Sequence, residues 1–168
     1  TAVSGAPISA SDYNTYQRDN LTYLFSQRPA PKASYFSGAL TSTATSFTDV
    51  STASVKLNAT INSGRFFCLF MFPFYLSFSS AGVARANFRV QVDATANEGD
   101  PTYGLLHAIN TTQQTLIVPA LLQGLSVGAH DIRLQWKLTV TSGSGWQMNI
   151  PSVAGADGLP VFMVGWEV

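Results

Sequence analysis

Ile132-Arg133-Leu134-Gln135-Trp136-Lys137-Leu138-Thr139-Val140 alternates apolar and polar side chains without a break. A period of two puts Ile132, Leu134, Trp136, Leu138 and Val140 on one face of an extended strand and the polar residues on the other. The same alternation runs through Ala53, Val55, Leu57, Ala59 and Ile61, against Ser54, Lys56, Asn58, Thr60 and Asn62. It returns where Phe88, Val90 and Val92 alternate with Arg89, Gln91 and Asp93. Shorter strands are predicted at Tyr35–Leu40, Phe47–Val50, Leu116–Pro119, Trp146–Ile150 and Val161–Val168, with Pro119 marking an edge or a strand end. Asn62-Ser63-Gly64 and Thr141-Ser142-Gly143-Ser144-Gly145 read as turns, and Ala94 to Thr102 as an exposed loop. About eight short strands with no helix between them predict a mainly β domain over residues 32–168, an antiparallel β-sandwich or jelly roll.

The run Phe66-Phe67-Cys68-Leu69-Phe70-Met71-Phe72-Pro73-Phe74-Tyr75-Leu76 shows no polar face. It is far shorter than the ~20 residues of a membrane-spanning helix, and Pro73 divides it, so it is read as a strand. An antiparallel sheet ordinarily keeps one face wet. A strand apolar on both sides is therefore expected to have a second cover, either the N-terminal helix or a neighbouring subunit around a symmetry axis. Each fully buried Phe contributes roughly 1.5–3 kcal/mol, and Phe70, Phe72 and Phe74 are the expected assembly contacts. The closing strand, with Phe162, Val164 and Trp166 on one side and Val161 and Met163 on the other, points the same way.

One helix is predicted, near the start of the chain. Ser9 suits an N-cap, with Asp12 three residues on as an acidic variant of the capping box, and Ile8 and Tyr13 form a hydrophobic staple. Tyr13, Tyr16, Leu21 and Leu24 lie close to one face, Arg28 sits near the C-terminal end of the dipole, and Pro29-Ala30-Pro31 stops the helix. A helix of this length is marginal alone in water. Residues 1–31 are thus expected to be a helical anchor and linker, with that stripe as its contacts.

Composition narrows the partners. Hydrophobic residues make up 46% of the 168 and charged residues only 11%, well below the ~25% of an ordinary soluble domain. That balance excludes generic disorder and is expected of a surface partly covered by partners. Nine basic and nine acidic residues cancel, with no Lys/Arg cluster, which argues against nucleic acid and anionic membrane as partners. The lone Cys68 cannot form an internal disulfide and is expected to be a buried, inert thiol. The first residues lack the basic and apolar segments of a signal peptide, and Thr1 fits removal of an initiator methionine.

Chemistry-bearing motifs are few. Gly124-Leu125-Ser126-Val127-Gly128 matches a nucleophile elbow, and His130-Asp131 follow. The elbow needs a helix after it, whereas the cleanest strand of the chain comes next, so a hairpin-type glycine turn is predicted, with no catalytic residue. His107 and His130 have no zinc-like spacing and are expected on the surface or in turns. Asp93, Asn97, Glu98 and Asp100 lack the order of a dedicated calcium loop and are expected to be solvated. No phosphate-cradling or dinucleotide motif appears, and no metal or cofactor is expected. Trp136 alternates with a core face. Trp146, after a glycine-rich turn, and Tyr103, beside the polar loop, are candidate contacts to a sugar ring.

The segment Ile8-Ser9-Ala10-Ser11-Asp12-Tyr13-Asn14-Thr15-Tyr16-Gln17-Arg18-Asp19-Asn20-Leu21-Thr22-Tyr23-Leu24 resembles the opening of tailed-bacteriophage virion proteins. Gly124-Leu125-Ser126-Val127-Gly128-Ala129-His130-Asp131-Ile132-Arg133-Leu134-Gln135-Trp136-Lys137 is similar to the glycine turn and long strand of their β-rich heads. The resemblance covers about a fifth of the chain. It implies a non-enzymatic fibre, minor tail or capsid-surface protein, with a trimeric jelly-roll head resembling tumour-necrosis-factor-like domains. The partners it implies are further copies of the chain, other virion proteins and, in an adhesin, a host glycan or receptor. The location it implies is the surface of a phage head or tail. No heptads or repeats mark a long fibre shaft.

Overall fold

The computed structural model describes residues 32–99, 101–152 and 159–168, and within them the chain is a mainly β fold of two antiparallel sheets. The predicted helix, with Tyr13, Tyr16, Leu21 and Leu24, lies outside the described residues. The first sheet is built on β5 (Arg65–Ser77). One edge of β5 pairs with β9 (Gln114–Gln123), and the other pairs in succession with β12 (Val161–Glu167) and β11 (Gln147–Ile150). β1 (Lys32–Phe36) extends the sheet beyond β12, and β2 (Leu40–Ser42) beyond β11.

The second sheet repeats this plan around β10 (Gly128–Ser144). One edge pairs with β6 (Ser80–Val92), and the other with β4 (Lys56–Ile61) and then β3 (Thr48–Asp49). The far edge of β6 carries β7 (Ala96–Glu98) and β8 (Leu106–Ala108). Twelve strands stand among the described residues where about eight were expected, because three edges of the long strands are each covered by two short strands end to end. The expected strand Tyr35–Leu40 is such a case. It breaks at Gly38, over which the Phe36 ring folds so closely that a Cβ would sit 2.5 Å from it, and its two halves join different partners.

Alternation decides which side chains meet between the sheets. Phe66, Cys68, Phe70, Phe72, Phe74 and Leu76 of β5 all point inward, facing Ala86, Phe88 and Val90 of β6 and Ile132, Leu134, Trp136 and Leu138 of β10. Phe88 sits between two rings of the opposite sheet, with centroids 5.1 Å from both Phe72 and Phe74. Pro73, which has no N–H for a ladder, lies where β5 changes neighbours, β12 ending opposite Met71 and β11 beginning opposite Tyr75. Pro119 lies on β9, which pairs only with β5 and is an edge strand, as expected.

Most connections leave one sheet and enter the other. The segment 62–64 joins β4 to β5, and 124–127 joins β9 to β10. The Gly124–Gly128 motif is therefore a crossover between sheets and not the hairpin-type turn expected from its glycines. Gly124, at φ 68°, supplies the left-handed backbone on which this crossover starts.

Replacing Phe88 by Ala removes the ring that both Phe72 and Phe74 pack against. We expect a loss of about 3–5 kcal/mol in urea denaturation, against less than about 1.5 kcal/mol for the volume-conserving Phe88→Met.

Candidate interaction surfaces

His130 is the one titratable imidazole drawn inside. Although expected on the surface, its side chain is only 5% exposed, because its position in the alternation of β10 is an inward one. Its Nδ1 lies 2.7 Å from Asp93 Oδ2 and its Nε2 lies 2.7 Å from the Ser126 carbonyl oxygen. Both partners accept, so the doubly protonated ring satisfies both. The Ser126 carbonyl, opposed by burial and aided by Asp93, raises the imidazole above its ordinary range. Asp93 sits in a tight turn with Ala94, both at positive φ (51° and 58°), closed by the Thr95 N–H on the Val92 carbonyl. Partial burial opposes ionisation of Asp93, but the Asp131 backbone N–H and His130 outweigh it and lower its carboxyl. With both ring nitrogens engaged, His130 has none left to act as a base toward Ser126. The group latches the 124–127 crossover to the β6–β7 turn.

The outward face of the second sheet is a polar network. Asp131 receives Arg133 at 2.7 Å and Lys56 at 3.3 Å, while Arg133 also reaches Asp49 at 2.9 Å. Gln135 continues the chain to Asp49, Gln91 and Arg89. Arg133, followed by Lys56, holds the Asp131 carboxyl below its usual range against the effect of partial burial. Phe47 closes over this face, with Arg89 4.2 Å and Lys137 4.8 Å from its ring centroid.

Of the two candidate sugar contacts, Tyr103 is exposed and Trp146 is not. Tyr103, 52% exposed, borders a cleft of about 420 Å³ with Arg85 5.0 Å over its ring. Trp146 is 6% exposed, donates Nε1–H to the Ser142 carbonyl at 2.9 Å and packs on Phe78, with no face left for a ligand. The glycine-rich turn folds back over the indole, which the sequence alone did not disclose. Trp136 lies in the core as expected, and His107 is exposed.

The first sheet turns an apolar face outward. Phe70, Phe72 and Phe74, the expected assembly contacts, are all fully buried in the domain's own core. Alternation leaves outward contact to their neighbours Phe67, Leu69 and Met71, which are half-buried. Strand register sets these in three rows. Trp166, Phe67 and Leu121 form one; Ala33, Val164, Leu69 and Pro119 the next; Tyr35, Phe162, Met71 and Ile117 the third. Phe67 and Trp166 stack at 4.9 Å, yet Trp166, Leu121, Ile117 and Tyr35 remain 38%, 42%, 50% and 73% exposed. No charged side chain interrupts the rows. The signal for this surface was the two-sided apolar pattern of residues 66–76, but the pattern could not say which side faced inward.

Cys68 is buried, and desolvation, with a smaller contribution from the Glu98 carboxylate, pushes its thiol up to about 12. Of the acidic loop, Asp93 belongs to the His130 latch, while Asp100 and the Asn97 side chain lie outside what is described. Neither family models nor curated proteins give a match to this chain.

The latch has a pH signature. A raised folded pKa for His130 means its contribution is complete below the unfolded value of about 6.5 and is lost as pH rises through the folded one. The lowered carboxyl of Asp93 contributes above its unfolded value of about 3.9 and is lost as pH falls. Urea denaturation should show stability declining above about pH 6.5 in the natural chain, and a flatter profile there for His130→Gln. In the same spectrum of variants, Ala94→Gly should gain up to about 1 kcal/mol, since Ala is strained at positive φ and Asp-Gly suits this turn.

Proposed function

We propose that the chain is a non-enzymatic assembly module, a jelly-roll head that associates with copies of itself through the outward face of its first sheet. The single observation carrying this reading is the uninterrupted apolar surface formed by Trp166, Phe67, Val164, Leu69, Phe162, Met71 and Ile117. An outward face of this kind is what a sheet normally gives to water as polar side chains. The other sheet does so, with Asp131, Arg133, Gln135 and Lys137 in the equivalent positions. Monomeric proteins rarely leave a large contiguous apolar patch in solvent.

Several features favour the jelly-roll reading: two antiparallel sheets, one core shared between them, and connections that repeatedly swing from one sheet to the other. The assembly is read as a trimer on the surface of a tailed-phage virion, attached through residues 1–31. This part rests on the resemblance of the N-terminal segment and of the Gly124–Lys137 stretch, together with a charge content of 11%. A catalytic role has little support, since the only hydrolase-like motif lies in an inter-sheet crossover and its histidine is committed to the latch.

Sedimentation velocity at micromolar concentration tests the association. The natural chain should sediment as a trimer. Ile117→Glu, an exposed edge-strand position at the end of the third apolar row, should dissociate it without unfolding it. Val83→Glu, exposed on the other sheet, should leave it assembled. A natural chain that stays monomeric through that range would overturn the reading.

A further inference from the structure

The cleft beside Tyr103 lies on the second sheet, away from the apolar rows, and its chemistry is one-sided. Its floor is the cross-strand pair Arg85 and Thr139, with Lys137 next along β10, and its walls are Thr102 and Tyr103 on one side and Thr45 on another. Among the described residues no carboxylate lines it, and Arg85 has no anionic partner, its guanidinium being stacked on the Tyr103 ring. Lys137 donates an N–H to the Thr102 carbonyl and lies 4.8 Å from the Phe47 ring centroid. Beside the floor, on the same face of β6 as Arg85, the fully buried Asn87 donates its Nδ2–H to Thr139 Oγ1 at 2.9 Å. Thr139 is thereby the acceptor in that bond, and its own hydroxyl proton is left to donate elsewhere.

We propose that this cleft binds an acidic sugar, with the carboxylate held by Arg85 and Lys137 and the ring lying along Tyr103. The polar side chains of the floor offer donors, which complements an anionic oxygen cluster and repels a cation. Arg in particular matches a planar carboxylate through two parallel N–H groups. The ligand must also meet apolar surface, because Tyr103 and Val140 border the cleft at 52% and 43% exposure. A bare anion such as phosphate uses the donors and leaves that surface wet. A uronic acid uses both, its carboxylate on the cations and the C–H face of its ring on the phenol. At about 420 Å³ the cleft falls within the range of small-ligand sites. The inference does not depend on self-association, since cleft and apolar rows lie on different sheets.

The test is a titration of the isotope-labelled full chain followed by amide NMR, in the natural protein and in the Ile117→Glu background. The probes are a glucuronate-containing disaccharide, the same disaccharide with its carboxylate reduced to an alcohol, and inorganic phosphate at matched ionic strength. The glucuronate sugar should give saturable shifts at Arg85, Tyr103 and Thr139 with a dissociation constant in the millimolar range or tighter, about −4 kcal/mol or better. The reduced sugar should bind at least about tenfold more weakly, as should Arg85→Gln and Tyr103→Ala. Tyr103 lies on a turn, so its variant keeps the strands, and an unchanged spectrum elsewhere verifies this for both. The absence of saturable shifts up to about 10 mM, equal binding of the reduced sugar, or phosphate reproducing the same shifts at the same affinity would each overturn the proposal. A natural chain that binds the sugar but stays monomeric would count against the assembly reading alone.

Discussion

A β-strand has two faces, and in β5 every residue from Phe66 to Leu76 is apolar. Only one of those faces can enter the core between the sheets. Phe66, Cys68, Phe70, Phe72, Phe74 and Leu76 take that place, and Phe88 meets them from the other side. What remains is fixed by geometry: Phe67, Leu69 and Met71 must face away from the core. Neighbouring strands compound the effect, since β9 and β12 place Ile117, Leu121, Phe162, Val164 and Trp166 beside them in register. No polar row divides these three apolar rows, and the exposed Arg65–Gln123 pair bounds them at one end.

The second sheet has the same layout of one long strand flanked by short partners, yet the opposite outer chemistry. On β10 the outward residues from Asp131 to Lys137 are charged or amide-bearing, and Asp131, Arg133 and Gln135 bond along and across strands in a connected series from Lys56 to Arg89. Each exposed pair is worth little by itself, but the series satisfies polar groups that Phe47 and the neighbouring turns partly cover. The domain thus has a wet side and a greasy side. The proposed sugar site uses the donors of the first and the proposed association the second, where a protein interface has apolar area to release water from.

Most of this asymmetry could be read from period-two alternation. Residues 132–140 announce a half-buried strand and 66–76 a strand apolar on both faces, and both segments are strands in the structure. Alternation does not reveal phase for a strand with no polar face, so Phe70, Phe72 and Phe74 are the expected assembly contacts although the pleat turns them into the core. Nor did it reveal partners. Whether a glycine-bounded segment such as 124–128 makes a hairpin or a crossover depends on which sheet receives the next strand, a non-local fact. Tyr103 and Trp146 illustrate the same limit. Both follow polar or glycine-rich stretches, and only the fold-back of the Ser142 carbonyl onto the indole separates the buried ring from the exposed one.

The two sides are kept in register largely at one end of the molecule. There the chain passes between sheets twice, through 62–64 and 124–127, and the Leu125 N–H on the Gly64 carbonyl joins the two passages. Glu167, at the end of β12, accepts the backbone N–H groups of Asn62 and Ser63, and these outweigh its partial burial to hold its carboxyl below the ordinary range. His130 ties the second passage to the Asp93 turn. The strained positive φ at Asp93 and Ala94 is intelligible in this setting, because it is what turns the Asp93 carboxylate back onto both His130 and the Asp131 amide. A loosened crossover would free β9 and β10 to shift register against the strands they pair with, and a one-residue slip reverses every side chain of a strand. The apolar rows and the cleft beside Tyr103 would then be lost together, although neither touches the latch.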